Sequence, residues 1–221
     1  MNMMEAISAR HSVRQYLDQP LTADEISALK KEIDACNQES GLHIQLVANE
    51  SKAFEGGMAK YGKFSGVQNY FALVGKAGAD LQEKCGYWGE RLVLKAQMMG
   101  LNTCWVALTF SKVKSAYVLD EGEKLACVIA LGHGATQGVP HKSKSMNEVT
   151  KMDGAMPDWF KAGMEAVLLA PTAMNQQKFL FTLKDGKVSA TPGHAFYAKM
   201  DLGIVKYHFE VGAGKENFQW T

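Results

Sequence analysis

Cysteine is scarce and scattered in this chain of 221 residues: Cys36, Cys85, Cys104 and Cys127 form no Cys-x-x-Cys pair and have no histidine at metal-ligand spacing. That pattern argues against a zinc site and reads as four small buried apolar residues in a reducing cytosol. Charge of one sign is lacking too. Twenty-four Lys and Arg face 23 Asp and Glu, a net charge of +1, which argues against a dedicated nucleic-acid or polybasic membrane surface. No run approaches 18 consecutive apolar residues, so no membrane span is expected. The opening Met-Asn-Met-Met-Glu-Ala has no basic region followed by an apolar run, so no secretory signal is expected. No linker-like stretch divides the chain, and a domain of this size buries roughly 70% of its extended surface without disulfide or metal. These absences lead to one cytoplasmic domain over residues 1–221.

What is present begins with helical periodicity from Thr22 to Cys36, where Ile26, Leu29 and Ile33 recur at three- and four-residue steps. Thr22 with Glu25 three residues later has the form of a capping box. Strands are expected at 42–48, 70–74, 103–107, 126–131 and 178–183, the last followed by an Asp185-Gly186 turn. The longest helix is expected over 80–99, apolar almost all round through Tyr87, Trp88, Leu92, Leu94, Ala96 and Met98, and so either central to the core or pressed against another subunit. Further helices are expected at 159–169 and 195–211. Between residues 55 and 66 four glycines suggest a surface loop, with Tyr61, Phe64 and Tyr70 as pocket-lining or, more simply, structural aromatics. The helix–strand units 22–48 and 157–183 echo one another. The irregular alternation gives a mixed α and β layout.

Two stretches carry candidate chemistry. In Arg10-His11-Ser12-Val13-Arg14, an extended backbone would place Arg10, Ser12 and Arg14 on one face, two guanidiniums flanking a hydroxyl. Such a group suits an anion, because Arg offers planar, charge-assisted donors; taken alone, it is also what a solvated basic start to a domain looks like. In Pro171-Thr172-Ala173-Met174-Asn175-Gln176-Gln177, carboxamides present donor and acceptor together, which suits a heterocycle with alternating N–H and C=O edges; a polar helix–strand loop is the plainer alternative. No Gly-x-Ser-x-Gly occurs, Gly132–Gly138 lacks the Lys-Ser/Thr ending of a P-loop, and His194 and His208 have no nucleophile partner. His208, on an apolar helix, reads as a core or interface histidine.

Together these stretches resemble the flavin mononucleotide (FMN)-dependent nitroreductase family. Its members open with Arg-Arg/His-Ser-x-Arg/Lys, similar to Arg10–Arg14 with Tyr16 nearby. They carry a Pro-Ser-x-x-Asn-x-Gln-Pro-Trp loop, similar to Pro171–Phe179. Gly100-Leu101-Asn102-Thr103-Cys104-Trp105 resembles the family's Gly-Leu-Gly-Thr-Cys-Trp, and Leu131-Gly132-His133-Gly134 stands where Leu-Gly-Tyr-Pro is common. The Asn-containing loop comes late here, as in a rearranged branch. Lys178 and Phe179 replace Pro and Trp, and Ala107 and Leu108 replace a Gly-Gly pair.

The resemblance implies an α+β fold, a three-layer sandwich with a central mixed or antiparallel sheet flanked by helices, assembled as a homodimer with intersubunit FMN sites. It implies that Arg10, His11 and Ser12 meet the FMN phosphate and ribityl chain, with Lys142 and Lys144 closing the phosphate. Arg14 is placed by it beside the flavin pyrimidine edge, and the backbone at Ala107–Leu108 toward N5. Pro171, Thr172 and Asn175 would reach the flavin from the partner subunit, with Gln177 holding their loop. The implied activity is ping-pong reduction of nitroaromatic, quinone or similar acceptors, with NADH or NADPH as donor. It needs no catalytic side chain and no metal. A non-catalytic FMN store or sensor, and a specialised member that fragments flavin or dehalogenates phenols, are the alternatives.

Overall fold

A computed structural model describes residues 1–221. In chain order its elements are α1 (Met3–Ala9), α2 (Ala23–Ser40), β1 (Gln45–Val47), α3 (Gly57–Tyr61), β2 (Asn69–Lys76), α4 (Leu81–Met98), β3 (Asn102–Val106), β4 (Glu123–Gly132), β5 (Thr150–Met152), α5 (Asp158–Val167), β6 (Phe179–Lys184), β7 (Lys187–Pro192), α6 (Ala198–Ala213) and β8 (Gln219–Trp220). The α+β class holds. The strands form two four-stranded sheets, one antiparallel and one mixed. The chain groups into two compact units. No helix is long and apolar enough to cross a membrane.

The N-proximal unit comprises Arg10–Leu81 and Arg91–Pro140. Its sheet has the order β1-β2-β4-β3. Seven consecutive residues of β2 are buried, so both faces of this strand are covered and its sequence shows a continuous apolar run rather than alternation. Tyr70, Ala72 and Val74 join Val128, Ala130 and Phe54 in one cluster. Phe64 and Tyr70 belong to this core and Tyr61 is exposed, so two of the three loop aromatics are structural. The glycine-rich stretch itself contains α3. At α2 the capping box forms as expected: the Glu25 N–H donates to Thr22 Oγ1 at 3.2 Å, and the Thr22 N–H to Glu25 Oε2 at 2.7 Å.

The C-proximal unit comprises Met1–Ala9, Gln82–Glu90 and His141–Thr221. In its sheet, β5-β6-β7-β8, the central β6–β7 hairpin turns at Asp185 (φ 51°) and Gly186 (φ 73°). Two successive left-handed residues match the right-handed strand twist, and Asp-Gly tolerates them best. Helices α5 and α6 pack together. Phe160, Phe181 and Phe209 interlock there, with ring centroids 5.0–5.4 Å apart. His208 is fully buried, its Nδ1 2.9 Å from the Ala166 carbonyl and its Nε2 2.9 Å from Glu90 Oε1. It is a core histidine. The echoed units differ in placement: β1 is an edge strand with one partner, whereas β6 lies between two.

Helix α4 explains its own all-round apolarity. Gln82–Glu90 belongs to the C-proximal unit and Arg91 onward to the N-proximal one, so residues on every side, among them Cys85, Leu92, Val93 and Leu94, are fully buried within this single chain. Its apolar surface is therefore not evidence for a second subunit. In the C-proximal unit, α4 and α6 meet through glycine: a Cβ on Gly203 would lie 2.0 Å from the Glu83 carbonyl oxygen, and one on Gly86 2.0 Å from that of Met200. Backbone cannot retreat by that much without parting the helices. Gly203→Ala is expected to cost at least ~1–3 kcal/mol through overpacking. By contrast Gly57→Ala, in α3 with open space around it, is expected to gain ~0.5–1 kcal/mol from helix propensity. Equilibrium urea unfolding of the two variants beside the parent checks both signs.

Candidate functional site

In the N-proximal unit the stretch after Arg10 is extended, as expected. It adds alongside β3, the edge strand: the Val13 N–H donates to the Thr103 carbonyl at 3.0 Å, and Ser12 bridges Thr103 in parallel. Beyond β3 the segment is held by other partners: the Tyr16 N–H donates to the Ser65 carbonyl at 3.0 Å and the Leu17 N–H to the His133 carbonyl at 2.8 Å. The alternation places Val13 in the core, leaves Ser12 half-buried and exposes Arg14, while Arg10 is buried. Arg10, Ser12 and Arg14 thus differ in exposure, and all three influence one buried group, Cys104 of β3. Burial pushes the Cys104 thiol up, against the opposing pull of Arg14, a hydrogen bond with Ser12 and Arg10. The thiol is therefore neutral and inert, and the positive charge beside it is not spent on a thiolate.

Arg14 makes no ion pair; its guanidinium lies 6.0 Å from the Phe64 ring centroid. The dismissed glycine stretch matters here as packing. A Cβ on Gly138, which has φ +71°, would meet His11 Cβ at 2.7 Å. The Gly134 N–H donates to Asn102 Oδ1 at 3.1 Å, and Asn102 Nδ2 to Gln137 Oε1 at 3.2 Å. Residues 132–138 thus wrap the Arg10–Ser12 backbone closely. Ala107 and Leu108 follow the end of β3, outside its ladder, with Leu108 exposed.

The other expected residues, Lys142, Lys144, Pro171, Thr172, Asn175 and Gln177, come together in the C-proximal unit. Gln177 is the hub. Its Oε1 accepts the Lys144 N–H at 2.8 Å, and its Nε2 donates to the Lys142 carbonyl and to Asn175 Oδ1, each at 2.9 Å. Its own N–H donates to Thr172 Oγ1 at 3.1 Å. Holding the loop is thus the role that Gln177 performs. Lys144 joins it: Nζ donates to the Gln177 carbonyl at 2.9 Å, so this ammonium is partly committed to structure. Asn175 Nδ2 donates to the Lys142 carbonyl at 2.9 Å, and the side chain of Lys142 is exposed. Met174, Asn175 and Gln177 have φ of 50°, 53° and 47°. Three left-handed residues without glycine in four positions cost of order 1–3 kcal/mol each, and such clusters persist only where their surroundings impose them.

Sequence reasoning missed what imposes this one from outside. Asp201, on α6, is buried; its Oδ1 accepts the Ala173 N–H at 2.9 Å and its Oδ2 accepts from Gln176 Nε2 at 2.7 Å. Burial pushes its carboxyl up to about 6, although the bonds from Gln176 and Ala173 pull the other way. Only an acidic residue on an otherwise apolar helix face could have signalled it. A separate group, His43, Asp120 and Glu123, brings three ligand-type atoms within 4.8 Å, but Glu123 Oε2 lies 2.9 Å from both the His43 Nδ1 and the Asp120 N–H, which accounts for the arrangement without an ion.

Comparisons with known proteins bear on the family and the fold. The sequence profile of a family described as "Putative TM nitroreductase" matches residues 2–213. A Thermotoga maritima protein described as a putative nitroreductase superposes with a TM-score of 0.67 at 21% identity, covering 98% of this chain and 85% of that one. An Exiguobacterium sibiricum protein with the same description, solved in complex with FMN, gives 0.55 at 12% identity, covering 67% of this chain and 95% of that one. These likenesses establish the fold. No curated protein matches the sequence.

The folded pKa of Asp201 lies above the ordinary 3.8. Between pH 4 and 6 the native state therefore holds more protons than the unfolded one, and stability falls as pH rises through that window. Asp201→Asn removes the titration. The variant is expected to gain up to ~3 kcal/mol relative to the parent between pH 4 and pH 7. Paired denaturant titrations across this range check it; a constant difference would contradict the assignment.

Proposed function

Because the chain belongs to the nitroreductase family matched over residues 2–213, we propose that it is an FMN-dependent NAD(P)H oxidoreductase acting on nitroaromatic, quinone or similar small acceptors in the cytoplasm. The observation that carries this reading is the Arg10–Arg14 segment, fixed along β3 with Arg14 exposed and free of any carboxylate beside a neutral Cys104. An exposed guanidinium such as that of Arg14, with no carboxylate beside it, suits an anionic nucleotide. The close wrap of Gly138 on His11 gives the segment a rigid backing, so the residues fit the group.

Bound FMN supplies two-electron chemistry between a nicotinamide donor and an acceptor. The chain contributes binding and electrostatics. Arg10, His11 and Ser12 hold the phosphate and ribityl chain. Lys142 and Lys144 are further cations for a phosphate, Lys144 the lesser because its ammonium also donates to Gln177. Arg14 provides a fixed cation against the charge that accumulates on the reduced ring. The backbone N–H groups at Ala107–Leu108 would serve as donors to the ring's reactive edge. In a homodimer, Pro171, Thr172 and Asn175 of the partner subunit complete the site. Asn175 retains the means: one N–H and at least one lone pair of its carboxamide remain after the bonds to Lys142 and Gln177. No side chain is required as acid, base or nucleophile.

After incubation with FMN and gel filtration the purified chain is expected to be yellow, with about one flavin per chain in a dimeric peak. A colourless protein would sink the reading, and a loaded monomer would overturn the partner-subunit contribution. Donor and acceptor taking turns in one place predicts parallel double-reciprocal lines, and intersecting lines would contradict it. Steady-state NAD(P)H oxidation with a quinone separates an enzyme from a flavin store. Arg14→Ala is expected to slow flavin reduction about tenfold or more, the scale of one hydrogen bond to a charged group, ~1.5–3 kcal/mol. FMN affinity should change less; the reverse split would reassign Arg14 to the phosphate.

A further inference from the structure

The 171–177 loop cannot hold its shape by itself. Met174, Asn175 and Gln177 occupy left-handed backbone with no glycine to relieve them, and its internal hub, Gln177, ties the loop to residues 142–144. The other half, Ala173 to Gln176, is tied to α6. We propose that Asp201 is a positioning residue that sets the conformation of this loop, and through the loop the affinity of the chain for FMN. The flavin half of this inference rests on the function proposed above.

The argument is one of donor and acceptor accounting. Asp201 lies in the first turn of α6 and is 2% exposed. Each of its oxygens receives one N–H: Oδ1 that of Ala173, Oδ2 that of the Gln176 carboxamide. The same Gln176 nitrogen donates to the Phe196 carbonyl at 2.9 Å, so the clamp also fixes the segment entering α6. Two acceptors side by side are what a carboxylate offers. A protonated carboxyl or an asparagine keeps only one such full acceptor, so either one of the two N–H bonds is weakened or Gln176 turns its carboxamide and gives up the Phe196 carbonyl.

The groups that meet Asp201 are amides rather than charges, the Ala173 N–H and the Gln176 side chain. On α6 and the elements packed around it several charged side chains are engaged elsewhere. Lys206 pairs with Glu83, His208 with Glu90 and Lys215 with Glu210, while Lys161 pairs with Glu165 on α5, and on α1 Glu5 accepts the Asn2 N–H. No charged group is among the causes that shift Asp201, and burial raises its carboxyl to about 6.

The test uses the full-length chain and Asp201→Asn, with Gln176→Met as a second variant that removes one clamp donor and leaves the carboxylate in place. Hydrogen exchange of the 171–178 segment at pH 7.5, without FMN, reads the loop directly. FMN affinity from flavin fluorescence, measured from pH 5 to 8, reads its consequence. Asp201→Asn is expected to lose exchange protection at least tenfold at Ala173 and to bind FMN about tenfold more weakly at pH 7.5. The parent's affinity should fall as pH drops through about 6, and Asp201→Asn should lack that step. Gln176→Met is expected to show a smaller loss of affinity with the step retained. Unchanged protection in Asp201→Asn overturns the clamp. Lost protection with unchanged FMN affinity, or a pH step that survives in Asp201→Asn, overturns its link to the flavin. If the parent binds no FMN at any pH, the flavin reading falls with that half of the proposal, and exchange still decides whether Asp201 sets the loop.

Discussion

An edge strand must be answered by something, and in this molecule the answer is the Arg10–Leu17 segment. Strand β3 ends its sheet, so one row of its backbone groups would otherwise face outward as a template for any passing chain. The Val13–Thr103 hydrogen bond and the Ser12–Thr103 bridge occupy part of that row, and the bridges that follow tie the segment to Ser65 and Gly134. The same pairing fixes which side chains of the segment enter the core and which stay out. Val13 goes in, Arg14 goes out, and the register determines where positive charge appears on the surface. Packing and electrostatics are set by a single backbone contact.

A second constraint acts at the 171–177 loop, where the backbone adopts conformations its residues resist. Gln177 holds one side through Lys142 and Lys144, and Asp201 holds the other through Ala173 and Gln176. Because hydrogen bonds to buried groups are costly to leave unmade, the loop is over-determined rather than mobile. The cost falls on Asp201, whose burial makes its carboxyl harder to ionise than in water. Such an expense is the usual sign of a local geometry maintained for use rather than for stability.

Much of this was legible in the sequence because local chemistry wrote it there. The Thr22–Glu25 capping box, the Asp185-Gly186 turn, the extended Arg10–Arg14 stretch and the helical period of α2 depend on residues a few positions apart. What was illegible depends on distant partners. Strands β5 and β8 are three and two residues long, too short for any alternation to register, and exist only because β6 and β7 lie beside them. Asp201 reads as an ordinary polar residue until Ala173 and Gln176 are brought to it. Lys144 was legible as a cation but not as a donor to Gln177. The all-round apolarity of α4 was legible, but not its cause, which is that two sections of one helix are buried in two different units.

That division of α4 has a bearing on how the chain is made. Neither unit is a continuous stretch of sequence: the polypeptide passes from one to the other after Ala9, Leu81, Glu90 and Pro140. During synthesis α1 emerges first, yet the helices it packs on, α5 and α6, are among the last to appear. The nascent chain must therefore carry Ala6 and Ile7, fully buried in the finished molecule, unburied until the final quarter is translated. Contacts of such long sequence separation form late and slowly. A chain synthesised as far as Pro140 holds every residue of the N-proximal unit together with α1 and the Gln82–Glu90 section of α4, two pieces whose partners in the C-proximal unit have yet to be made.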